Sequence, residues 1–251
     1  MTQHVSTPAP TTEIRMGATL SAPDHAVVTG AGAPDAAPAA RGDRPRAWRL
    51  PALAGAALVS PAAMAAQYAL NSAGLPRQDA EVYLTGVAAD SGAMVASTLA
   101  YGLAMTTMVA VGALAAVVLR RTAPIASALS AALLTLGAVG GGAFVGLRLA
   151  ALAMVEDGAV LPGGTEAFVR LQGAIIDPVG WLLICAILGT VALAVALHRS
   201  RRAVGWWPAV VTVVGFVLAS GEFPNAVSVA GAVVQGAALV PLARLALGSR
   251  D

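Results

Sequence analysis

The chain has 251 residues, of which 57% are apolar and only 11% are charged, and its mean hydropathy is +0.76. Soluble domains carry about 25% charged residues, so this chain lacks the polar surface that a soluble globule needs. The composition therefore favours an integral membrane protein. All 15 basic residues are arginines and the net charge is +2. No basic stripe with interleaved aromatics is present, so nothing indicates nucleic-acid binding.

Residues 1–46 differ in composition from the rest of the chain. They contain six prolines among Ala, Thr, Gly and Ser, and they show no sustained apolar period. Such a segment cannot bury enough apolar surface to offset the entropy lost on ordering. We predict a disordered cytoplasmic arm over 1–46 and a transmembrane domain over 47–251.

Six apolar segments follow the arm. A helix needs about 20 apolar residues to cross the hydrocarbon core of a bilayer. The candidate spans run over about 50–71, 93–119, 124–147, 177–197, 206–220 and 224–246. Their apolar residues are continuous rather than alternating, which favours helices, and a helix bonds its own backbone polar groups in lipid. The predicted fold is all-α, a polytopic membrane bundle of six transmembrane helices.

Arginines are distributed unequally between the two sides of this bundle. Eleven flank or join spans on one side, whereas only Arg77 and Arg170 lie in loops of the other, with Arg148 at a helix end. Cytoplasmic loops of membrane proteins are enriched in basic residues. We therefore predict a multi-pass protein of the bacterial cytoplasmic membrane with both termini in the cytoplasm.

Aromatic residues and amphipathic segments are expected at the membrane surfaces, since Trp and Tyr rings favour the headgroup level. The inner aromatics are Trp48, Trp206 and Trp207, and the outer ones are Tyr68, Tyr83, Phe168 and Phe223. The outer segments 77–90 and 165–176 carry acidic and apolar residues at near-helical spacing. They predict two short interfacial helices, the second with Thr165 as its N-cap.

The first span has an alternative interpretation. Its arginine-rich flank, its apolar run and the small residues Ala63-Met64-Ala65 also resemble a signal peptide with a cleavage site. The 1–46 segment is long for the basic region of such a peptide. An uncleaved anchor is therefore preferred, and cleavage stays open.

Ionisable residues near the spans are the first candidates for a site, because such residues usually mark function in membrane proteins. Arg148, Asp177 and Glu222 fall at one outer level, with Gln172 nearby, and Gln235 is the notable polar residue of the sixth span. One interpretation is an outer polar cluster in which Arg148 pairs with a carboxylate. The other is a set of interfacial side chains that extend to the headgroups.

Catalytic and metal-binding patterns are missing from the sequence. Three scattered histidines and the single Cys185 make no zinc, haem or iron–sulfur pattern. Nucleophile-elbow, zinc-protease, P-loop and dinucleotide-binding motifs do not occur. We predict no catalytic residue, metal or cofactor, and the balance is against an enzyme.

The third span is rich in glycine and contains Gly142 and Gly146 at GxxxG spacing. Small residues at this spacing let helices approach closely. The first interpretation is packing within the bundle. The second is a homo-oligomer or a protein partner bound through Gly142 and Gly146, in addition to the lipid bilayer.

Three segments carry a resemblance to a known family, at 88–92 (AADSG), 119–124 (LRRTAP) and 201–207 (RRAVGWW). With the order of the spans, they resemble uncharacterised bacterial six-helix membrane proteins, a domain of unknown function, over about residues 48–247. That family has no assigned activity, so the resemblance implies topology alone.

The function predicted from the sequence is that of a structural or partner-binding membrane subunit, for which a closely packed interior is expected. The alternatives are a small transporter or channel subunit, and a ligand-binding membrane protein. The latter would have an outer-face pocket around Arg148, Asp177 and Glu222.

Overall fold

The computed structural model describes residues 49–76, 79–220 and 223–248. Within these ranges the chain forms eight α-helices and one short antiparallel hairpin. The helices are α1 (Arg49–Leu70), α2 (Ala80–Ala89), α3 (Ser91–Val118), α4 (Pro124–Ala153), α5 (Gly164–Arg199), α6 (Arg201–Val204), α7 (Trp207–Leu218) and α8 (Asn225–Gly248), and the hairpin strands are β1 (Val155–Glu156) and β2 (Ala159–Val160). The predicted all-α class is confirmed. The predicted disordered arm over 1–46 lies outside the described residues.

Among the described residues, five helices are long and apolar enough to cross a membrane, namely α1, α3, α4, α5 and α8. The predicted fifth span instead forms the 12-residue helix α7. At 1.5 Å per residue this helix is about 18 Å long, whereas the hydrocarbon core is about 30 Å thick. The structure therefore supports a membrane bundle of five long helices and one short apolar helix, rather than six full-length spans.

The five long helices and α7 pack as a closed ring. Each packs chiefly against two neighbours, in the order α1, α3, α4, α5, α7, α8 and back to α1, and the joint between α5 and α7 is the least extensive. One end of the ring holds the turns with the clustered arginines, and we call it the arginine-rich end. The other holds α2 and the hairpin, and we call it the capped end.

Glycine permits the close approach of α4 to α5. A Cβ atom built on Gly137 would lie 2.6 Å from the Cβ atom of Ala186, a distance that no side chain tolerates. Gly142 and Gly146 differ, because no described atom lies within 4 Å of such a Cβ. Internal packing is therefore the wrong interpretation for Gly142 and Gly146, and their role in an oligomer stays a prediction.

The capped end is built by α2, the hairpin and the first turns of α5. The side chains of Asp79 and Asp90 accept hydrogen bonds from backbone amides at the starts of α2 and α3, as N-cap residues do. Tyr83 of α2 stacks on Phe168 of α5 with ring centroids 5.5 Å apart, and both side chains are fully buried. These rings form the core of the cap and face the protein interior, and their predicted level near the outer membrane interface stays a prediction.

The two predicted interfacial helices fare differently. Helix α2 confirms that the first segment is helical, and its place at a membrane interface stays a prediction. Residues 165–176 form no separate helix, because they are the start of α5, which continues through Pro178. The N-cap is Gly163 and not Thr165. Gly163 has a φ of +74°, a left-handed conformation that glycine adopts without steric cost.

The arginine-rich end is polar at its surface. The hydroxyl groups of Thr122 and Ser200 lie 2.5 Å apart, and this contact joins the turn after α3 to the turn after α5. Trp206 is 69% exposed at the same end. The exposed arginines here are Arg49, Arg120, Arg121, Arg199, Arg201, Arg202 and Arg244. This clustering at one end agrees with the asymmetry seen in the sequence.

Candidate functional site

The helix ring lines a partly open cavity of about 340 Å³, and all six ring helices contribute to its wall. This volume falls within the range of small-molecule pockets, about 300–1,000 Å³. Most of the wall is apolar, and Met64, Met105 and Met108 give it flexible side chains that adapt to the shape of a ligand. The polar side chains on the wall are Ser60, Gln67, Tyr68, Tyr101, Arg148, Thr190, Ser220 and Gln235.

Arg148 is the charged residue of this wall. It lies near the C-terminal end of α4, and packing at the capped end leaves only 2% of it exposed. Its Nη1 atom lies 3.4 Å from the carbonyl oxygen and 3.3 Å from the hydroxyl oxygen of Ser97. Its guanidinium carbon lies 5.0 Å from the centroid of the Tyr101 ring, within the range of a cation–π interaction. These contacts orient the guanidinium group without neutralising its charge.

The four residues of the predicted outer cluster do not form one group in the described part of the chain. Asp177 is exposed on α5, and none of the described polar contacts of Arg148 is with a carboxylate. Gln172 donates a 2.6 Å hydrogen bond to the carbonyl oxygen of Pro76, which ties α5 to the segment after α1. Glu222 lies outside the described residues. Arg148 thus points into the bundle, and neither pairs with Asp177 nor extends to the headgroups.

Three tyrosines, Tyr68, Tyr83 and Tyr101, are the electrostatic neighbours of Arg148. The Tyr83 hydroxyl interacts with the guanidinium charge, yet it lacks hydrogen-bond geometry and is buried without a hydrogen-bond partner among the described residues. Burial raises the pKa of Tyr83 to about 12, and the charge of Arg148 opposes this increase. The Tyr68 hydroxyl donates a hydrogen bond to the carbonyl oxygen of Ala219, which links α1 to the end of α7.

Gln67 is a further polar group at this level of the cavity. Only 2% of the residue is exposed, and its side-chain amide makes no hydrogen bond with the described part of the protein. The Ser97 hydroxyl donates a 3.2 Å hydrogen bond to the backbone carbonyl of Gln67 and also contacts Arg148. Ser97 therefore bridges the backbone of Gln67 and the side chain of Arg148, and both Gln67 and Arg148 line the cavity. Sequence analysis missed Gln67, although a lone amide within an apolar span was a signal that could have identified it.

The polar groups of the cavity suit non-covalent binding. In the part of the chain that the structure describes, His, Cys, Asp and Glu form no group of three or more that could hold a metal ion. The guanidinium, amide and phenol groups instead offer hydrogen-bond donors to an anion or another acceptor. The surrounding apolar wall favours contact with hydrocarbon.

No protein-family model, curated protein or solved structure matches this chain. The resemblance to six-helix bacterial membrane proteins therefore stays a prediction. The fold and the cavity define a class, a multi-helix membrane protein with a largely apolar cavity between its helices, in which Arg148 is the buried cation among the described lining residues.

Proposed function

We propose that this protein binds an amphiphilic molecule inside its helix ring. The observation that carries the proposal is the burial of Arg148 in the wall of a largely apolar cavity. A buried charge in a membrane protein is costly and marks a functional site by default. An amphiphile complements both parts of the cavity, since its headgroup meets the polar groups around Arg148 and its hydrocarbon meets the apolar wall.

A purely structural subunit, the first function predicted from the sequence, has no use for such a cavity. Membrane helices associate largely through van der Waals packing, and unfilled space lowers the stability of a packed interior. The cavity therefore favours the ligand-binding alternative. The polar side chains of the proposed pocket are Arg148 and its neighbours in the ring rather than Asp177.

The proposed location is the bacterial cytoplasmic membrane, with the arginine-rich end in the cytoplasm and the capped end outside. Exposed arginines at one end support this orientation. Helix α7 acts as the sixth crossing in this proposal. It begins beside the exposed Trp206 and ends at Ala219, which accepts a hydrogen bond from Tyr68 near the far end of α1.

Filling the cavity tests the proposed function. Met108 lines the cavity from α3, so Met108→Trp should lower the retention of amphiphiles by the purified full chain about tenfold or more, which corresponds to about 1.4 kcal/mol. Native mass spectrometry of the protein released from detergent micelles measures this retention. Leu103→Trp is the matched control, because Leu103 is on the same helix and is 50% exposed. Equal retention by both folded variants would show that the cavity is not the binding site.

A further inference from the structure

We infer that the ligand is a single-chain amphiphile with a carboxylate group that binds Arg148. This inference rests on the proposed function and specifies the chemical class of its ligand. The carboxylate lies between Arg148 and Gln67 near the capped end of the cavity. The hydrocarbon chain extends from there along the methionines toward the arginine-rich end.

The charge of the headgroup follows from Arg148. A guanidinium group has five N–H donors, and the described acceptors of Arg148 are two oxygens of Ser97, both at long distances from the same nitrogen. Donors therefore remain available on a side chain that is 2% exposed and lines the cavity. An anionic oxygen is the acceptor that such a buried cation binds most strongly.

The choice of a carboxylate follows from the number of charges and from Gln67. Arg148 alone among the described lining residues is charged, so it balances a monoanion but not the charge of about −1.5 to −2 on a phosphate monoester at pH 7. A carboxylate also matches the planar guanidinium fork. Its remaining lone pairs can accept hydrogen bonds from the buried amide of Gln67, which makes none with the described protein.

The single long chain follows from the shape of the cavity. Lining residues on α4 extend from Arg148 to Leu134, which is about 21 Å along the helix at 1.5 Å per residue. The volume of about 340 Å³ is at the lower limit for ligand pockets. A cavity of this length and volume matches one extended hydrocarbon chain.

A ligand series on the wild-type full chain tests the inference. Radiolabelled palmitate, hexadecanol, hexadecyl phosphate and phosphatidylglycerol are bound to immobilised protein in detergent, with scintillation proximity as the readout. We expect palmitate to bind at least about tenfold more tightly than hexadecanol, since a hydrogen bond to a charged group outweighs one to a neutral group by about this factor. Equal affinity for palmitate and hexadecanol would overturn the carboxylate and leave the proposed function intact.

The other probes separate the remaining parts of the inference. Tighter binding of hexadecyl phosphate than of palmitate would overturn the carboxylate class, and tighter binding of phosphatidylglycerol would overturn the single chain. Failure of all four to bind would count against the proposed function itself. The series needs no variant, so its outcome does not depend on whether a substituted protein folds.

Paired arginine variants then locate the headgroup. Arg148→Gln should reduce palmitate binding by about tenfold or more and should weaken hexadecanol binding much less, so that the preference for palmitate is lost. Arg170→Gln is the matched control, because Arg170 is an exposed arginine of the capped end, and it should bind both probes as the wild type does. A palmitate preference that survives in a folded Arg148→Gln protein would assign the headgroup to another residue.

Discussion

The guanidinium carbon of Arg148 lies 5.0 Å from the centroid of the Tyr101 ring, inside the helix bundle. A ring face attracts a cation but does not neutralise it. The described contacts of Arg148 add only Ser97 and the neighbouring phenols. The protein therefore keeps a positive charge in its interior that an incoming anion can neutralise.

Replacement of Arg148 by an apolar side chain should not destabilise the ligand-free protein. In Arg148→Met we expect the free energy of unfolding to stay unchanged or to rise by up to about 4 kcal/mol, because the cost of burying charge is removed. Thermal unfolding of delipidated protein in detergent measures the effect, with Arg170→Met as the exposed control, which should shift it by less than about 0.5 kcal/mol. A clear loss of stability in Arg148→Met would indicate a counter-ion, and Glu222, outside the described residues, would be its first candidate.

The hydroxyl of Tyr68 should stabilise the contact between α1 and α7. Tyr68→Phe removes its hydrogen bond to the carbonyl of Ala219, and such a loss costs about 1 kcal/mol or more when the acceptor is buried. Tyr101→Phe is the control because it keeps the ring that lies over Arg148. Tyr68→Phe should therefore have a lower melting temperature than Tyr101→Phe. An equal loss of stability in both variants would argue against a specific role of the Tyr68 hydrogen bond.

Tyr83 should make the protein sensitive to high pH. Burial raises its pKa from the ordinary tyrosine value of 10.0 to about 12 in the folded protein, so its contribution to stability is fully present below pH 10 and is lost as pH rises toward 12. The melting temperature of the wild type should therefore fall more steeply from pH 10 to 12 than that of Tyr83→Phe. At pH 7 the two should be similar, because the hydroxyl lacks a hydrogen-bond partner among the described residues. Parallel curves of melting temperature against pH for the wild type and Tyr83→Phe would contradict this role of Tyr83.

Two glycines of α4 should respond to alanine in opposite directions. Gly137→Ala places a Cβ 2.6 Å from that of Ala186, and overpacking of this kind costs about 1–3 kcal/mol. Gly142→Ala meets no described atom within 4 Å and should gain about 0.5–1 kcal/mol from helix propensity. Thermal melting measures both. A loss of stability in Gly142→Ala, together with a smaller oligomer by light scattering, would instead support a second copy bound through Gly142 and Gly146.

The proposed orientation is testable by cysteine labelling in a Cys185→Ala background. An impermeant thiol reagent on intact cells should label Glu156→Cys in the hairpin and spare Arg202→Cys, and both positions are exposed in the structure. The loop residue Ser200 is unsuitable for this purpose, since it is only 1% exposed and bonded to Thr122. Labelling of position 202 alone would reverse the orientation.

Hydropathy predicted the long helices well because lipid imposes a strong and simple requirement on composition. The predicted spans at 93–119 and 124–147 correspond to Ser91–Val118 and Pro124–Ala153. The predicted span at 177–197 began later than α5, which starts at Gly164. The first turns of α5 pack under α2 through Phe168. That contact joins distant parts of the chain, so local patterning does not show it.

The site was only partly accessible from the sequence. Arg148 stands out in the sequence as a charge near the end of an apolar span. Whether its side chain points into the bundle or toward lipid depends on how α4 packs against α3 and α5. Tyr101 joins it only because the ring brings α3 beside α4, and Gln67 only because α1 lines the same cavity. Apolar residues cover all sides of these helices, so composition does not distinguish a face toward lipid from a face toward a cavity.

The ring closes where α8 meets α1, and this has a consequence for biogenesis. During synthesis α1 emerges first of the ring helices, whereas α8, one of its two neighbours in the ring, emerges last. The growing bundle is therefore an open arc until α8 enters the membrane. Arg148 would face lipid in that arc, but Ser97 and Tyr101 belong to α3, which precedes α4 and is already in place. The residues that hold the charge in the finished protein are thus beside it before the ring closes, and a chain that stops before α8 leaves the cavity open between α7 and α1.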